Sequence, residues 1–119
     1  MLAFMDAVVW ATVRGPITQS VGDTLLRRVL DLVRVHEAER VLLDFRAAGL
    51  VGGVVRLIQR VNQVDGEPAL RKARTAIVCT VRNNDYAFLE SAAAQRGLPI
   101  RVFTDGARAQ AWLHESTDH

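Results

Sequence analysis

The chain has 119 residues, which suits one ordinary domain spanning 1–119. Half of it is hydrophobic and 24% is charged, a balance that fits a packed core and excludes a disordered segment. Fifteen basic residues against 13 acidic leave a formal charge of +2, too small a surplus for a nucleic-acid partner.

The basic residues are unevenly divided. Lys72 is the one lysine and 14 are arginines, so the positive charge rests on guanidinium groups that stay ionised. They are dispersed, with no basic run longer than Arg27-Arg28 or Arg71-Lys72. No apolar stretch reaches the roughly 18 residues of a membrane span, so no integral membrane segment is expected. The first residues lack the basic and apolar regions of a secretory signal. Cys79 stands alone and excludes an internal disulfide. Together these features lead us to expect a cytoplasmic location.

Residues 2–5 are a short apolar run, with a turn at Asp6, and are expected to open a hairpin. Residues 8–13 are β-rich and predict a strand ended by Gly15 and Pro16. Residues 20–35 predict the clearest helix, because Leu26, Val29, Leu30 and Val33 recur at helical spacing. Thr18 and Ser20 are candidate caps for it.

Residues 41–45 form a near-continuous apolar run, the pattern of a strand buried on both faces. Gly49, Gly52 and Gly53 then break the chain, and residues 54–64 predict a second helix. A polar loop is expected over 65–72, a third buried strand over 75–81 and a helix over 86–96, with Asn83, Asn84 and Asp85 as candidate caps and Gly97 as its stop. A short strand follows at 100–103. The last helix is expected from a cap at Thr104 or Asp105 through Leu113, with a frayed tail from Glu115. Strand and helix alternate throughout, which predicts an α/β fold with a mainly parallel sheet.

Four stretches resemble the SpoIIAA-like superfamily, to which STAS domains belong. They are Val-Arg-Gly-Pro-Ile-Thr (13–18), Val-Leu-Leu-Asp-Phe-Arg (41–46), Thr-Ala-Ile-Val-Cys-Thr (75–80) and Arg-Val-Phe-Thr-Asp-Gly-Ala-Arg-Ala-Gln-Ala-Trp-Leu (101–113). The last is the most specific, being an ending shared by many small bacterial members. The resemblance implies a right-wound β-α superhelix with strands largely in sequence order, and a non-enzymatic role. In some members a phosphorylatable serine follows the second main strand and switches a protein partner. The matching stretch here, residues 47–53, contains no serine or threonine.

Several residues are candidates for a site. Gly49, Gly52 and Gly53 open a helix whose free N–H groups suit an anion, or else serve only the turn. Asp44 lies inside an apolar strand, either capping a helix or holding a partner's donor, or else accepting a hydrogen bond from the next turn. Arg14, Arg46 and Arg82 each follow a strand. In a parallel sheet all three fall at its carboxyl edge, where open α/β sheets bind ligands. Such a cluster suits a phosphate, a carboxylate or an acidic partner; the alternative is ordinary surface arginine.

Val54, Val55 and Ile58 widen the apolar arc of the second helix beyond what a one-sided helix needs. The excess marks a candidate interface with a protein partner, a second copy in a homodimer or a lipid, or else simple burial. Cys79 lies mid-strand and reads as a buried thiol. His36, His114 and His119 lack ligand spacing, and no catalytic or cofactor motif occurs. Trp112 and Leu113 read as core anchors. The leading expectation is a non-enzymatic module working through protein contacts, without a cofactor or metal. The competing one is a carrier of a small anionic ligand or lipid.

Overall fold

The computed structural model describes residues 1–115, so most of the tail expected to fray lies outside the described residues. Five strands form one sheet in the order β1-β2-β3-β4-β5, which is also their order in the chain. β1 (Leu2–Met5) and β2 (Val8–Ile17) make an antiparallel hairpin, and the other three pairs are parallel. Asp6 and Ala7 turn the hairpin with φ of 53° and 63°.

Helix α1 (Gln19–His36) begins where the Thr18 side chain accepts the Val21 N–H at 3.3 Å. That bond satisfies one of the free donors of the first turn. Val29 and Val33 are its fully buried residues of the predicted stripe, and they pack on Val9, Ala11 and Val41. Each buried valine contributes roughly 1.5 kcal/mol or more.

β3 (Arg40–Leu50) precedes α2 (Gly53–Asp65), and α3 (Pro68–Lys72) precedes β4 (Arg74–Val78). α4 (Asn84–Gln95), β5 (Ile100–Phe103) and α5 (Gly106–Leu113) complete the order. Asn83 caps α4 through the Tyr86 N–H, and Asp105 caps α5 through the Ala107 N–H at 2.8 Å.

The side-chain alternation of β3 divides the core. Val41, Leu43 and Phe45 face the layer holding α1 to α4, whereas Leu42 faces α5 with Val8, Ala76 and Val78. Trp112 and Phe103 pack beside that second cluster, with ring centroids 5.7 Å apart, and Leu113 is buried within it. Both faces of the central strands are therefore covered, as their unbroken apolar runs require.

Four expectations need correction. β2 does not stop at Gly15-Pro16 but pairs through Ile17, and β3 runs on to Leu50. The polar loop at 65–72 contains α3, with Pro68 in its first turn, where the missing N–H costs nothing. β4 ends at Val78, so Val81 and Arg82 lie beyond it in the turn to α4.

Candidate functional site

β2 and β3 reach past the rest of the sheet. Thr12 is paired with Asp44 but Arg14 with Ala47, so β3 holds one extra residue at a bulge. The pairing of β3 with β4 ends at Asp44 and Val78. Residues 47–50 therefore pair only with residues 14–17, as a two-stranded arm. Gly49 belongs to this arm rather than to the turn. The turn itself is Val51 and Gly52, and Gly52 has φ of 99°. Gly53, with φ of 65°, opens α2, and no side chain caps that end.

Asp44 sits at the bulge. Its carboxylate accepts the Arg46 backbone N–H at 3.1 Å and pairs with the Arg46 guanidinium at 2.8 and 3.0 Å. The side-chain bond from Arg46 holds the Asp44 carboxyl below the usual range, against the opposing effect of partial burial. It raises Arg46 in turn. Asp44 thus acts within its own strand and caps no helix.

Arg14 pairs with Ala47 at the base of the arm, whereas Arg46 lies one residue earlier in the bulge. Arg82 turns to another partner. It pairs with Glu90 of α4, whose second oxygen accepts the Val102 N–H at 2.7 Å. Arg46 and Arg82 are therefore each neutralised by an internal carboxylate. Arg14 is exposed and enters no ion pair among the described residues.

The candidate interface residues lie on the open side of α2. Val51, Val54, Val55 and Ile58 are 41%, 47%, 69% and 36% exposed. Leu57 and Val61, which adjoin this row on the helix surface, are buried. Val81 is also exposed, in the turn that follows the neighbouring strand.

Cys79 is buried just after β4, and burial pushes its thiol up, with Arg82 acting weakly the other way. A thiol held neutral is a poor nucleophile. His36 stacks on Phe4 at 4.1 Å, and His114 follows α5. His119 lies outside the described residues. Among the described residues no three His, Cys, Asp or Glu side chains gather in a metal-binding group.

One feature escaped sequence reasoning altogether. A cavity of about 140 Å³ lies between α1, α2 and the sheet. Leu43 and Ile77 form part of its floor, with Leu25 and Val29 on one wall and Leu57 and Val61 on the other. Its lining is aliphatic and aromatic apart from Arg60 and Thr75. Arg60 spans the gap, bonding Asp23 at 2.5 Å, the Gln19 carbonyl at 2.8 Å and Gln63 at 3.0 Å.

Periodicity placed Val29 in the apolar stripe of its helix, but carried no signal that the facing helices stand apart. The nearest signal is Gly22, a glycine in the first turn of α1. A methyl group there would land on the Arg60 guanidinium. The chain matches no family model and no curated relative.

Proposed function

We propose that this chain is a non-enzymatic SpoIIAA-like module that works through protein contacts, self-associating as a homodimer through the exposed face of α2. The observation that carries this reading is the row of aliphatic side chains at Val51, Val54, Val55 and Ile58. Leaving such a row in water is unfavourable, and covering it with a matching row from a second copy removes that penalty. The strand order, running in step with the chain, supports the superfamily resemblance. Partner control by a phosphorylated serine forms no part of this reading, because residues 47–53 lack a hydroxyl.

Light scattering tests the proposal. The unaltered chain is expected at twice the mass of one chain, and Val55→Asp with Ile58→Asp is expected at the mass of one. Val55 is 69% exposed and Ile58 36%, and a cooperative melt of each variant checks that the core is intact. A dimer that survives both changes, or an unaltered chain that runs as a monomer, defeats the homodimer.

A further inference from the structure

α1 and α2 lie over the same face of the sheet with their backbones well apart, bridged by Arg60, and α3 packs against both. The space left between them is the 140 Å³ cavity. An apolar cavity of roughly 150 Å³ is large enough to take up benzene and stays dry when empty. Water gains little here, because the wall provides few polar partners.

Arg60 makes the cavity asymmetric. It is the one charged residue in the lining, and its side chain remains 19% exposed, so it belongs to both the cavity and the surface. Its carboxylate partner Asp23 is 49% exposed. The carboxylate is thus the open partner of the pair, the one that solvent and solutes reach. A ligand carboxylate can take the place of Asp23 while its apolar body enters the space below. Gly22 keeps the path of the guanidinium clear, since any side chain at that position would displace it.

We propose that the cavity between α1 and α2 binds a small carboxylate with an apolar body of about six carbons, held at its head by Arg60. The site differs from the α2 interface, because Val54, Val55 and Ile58 do not line the cavity. Either proposal can therefore fail without the other.

The test compares hexanoate, hexan-1-ol and hexylammonium on the unaltered chain by amide NMR. Hexanoate is expected to give saturable shifts at Gly22, Val29 and Val61, and to bind at least about tenfold tighter than hexylammonium. Arg60→Gln is expected to erase that preference. Asp23→Asn is expected to tighten hexanoate by removing the competing carboxylate. Leu25→Phe, which fills the cavity, is expected to abolish binding while a cooperative melt shows that the chain still folds.

Absence of saturable shifts at those residues with hexanoate up to about 10 mM overturns the proposal. Equal affinity for the three ligands overturns the role of Arg60 and with it the ligand class. The three-ligand comparison uses the unaltered chain, so it decides the matter even where a variant does not fold.

Discussion

Tyr86 and Cys79 occupy the same apolar cluster, together with Phe45 and Leu57. Burial raises the Tyr86 phenol from its ordinary 10.0 to about 12, with smaller contributions from Cys79 and Asp85. The neutral phenol is therefore favoured in the folded chain. Its contribution to stability is complete below pH 10.0 and is lost as pH rises towards about 12. An ultraviolet titration of the folded chain should show the phenolate appearing near 12, with unfolding becoming easier over the same interval. A midpoint near 10 would mean that the ring is solvated. Asp44 shifts in the opposite sense, held ionised by its own neighbour at the bulge. These two groups show how a burial site and an ion pair diverge within one domain.

Among the elements, α5 is the shortest helix that covers a sheet face alone, and its start depends on Asp105. The carboxylate accepts from both Ala107 and Arg108 N–H groups, at 2.8 and 3.4 Å. Asp105→Ala is expected to lower stability by about 1 kcal/mol in a denaturant titration, the usual effect of losing such a cap. An unchanged midpoint would show that packing of Leu113 and Ala109 alone sets the helix.

The caps of α1, α4 and α5 were readable because each is a short polar side chain before an apolar pattern. The far end of β3 was not. Arg46, Ala47 and Gly49 have little strand preference, and that segment is a strand only because residues 14–17 of β2 pair with it. α3 was missed although Pro68 is an ordinary helix-opening residue, because five residues are too few to show a period. Arg14 and Arg46 were read as following their strands but lie inside β2 and β3, and sequence carries no notice that Glu90 claims Arg82 or that Asp44 claims Arg46. The valine face of α2 was visible as an apolar excess, while the cavity behind it depends on helix spacing alone.

At the scale of the molecule, the arginine bias finds a structural use away from the carboxyl edge. Arg40 and Arg74 are register partners at the start of β3 and β4. Arg40 donates to the Leu113 carbonyl at 2.8 Å, and Arg74 to those of Trp112 and Glu115 at 2.6 and 3.2 Å. Two positive charges thus meet the negative end of α5 and satisfy carbonyls left over by the helix. Arg74 also lies 5.2 Å from the centre of the Trp112 ring, which a lysine would serve less well. Arg74→Ala is expected to cost about 1–2 kcal/mol. It should speed amide hydrogen exchange in α5 more than in α1. Uniform acceleration across both helices would show that α5 does not open separately.

The chain-ordered sheet has a consequence for synthesis. Each strand pairs with the one made just before it, and none has to be inserted between two strands already in place. As the chain leaves the ribosome, the sheet can be laid down in one direction from the hairpin, with the newest strand always forming the open edge. That edge is an apolar row of unpaired backbone for as long as the next unit is delayed. The interval between Val78 and Ile100 is the last such wait, and it closes only when β5 arrives with α5 to cover the second face.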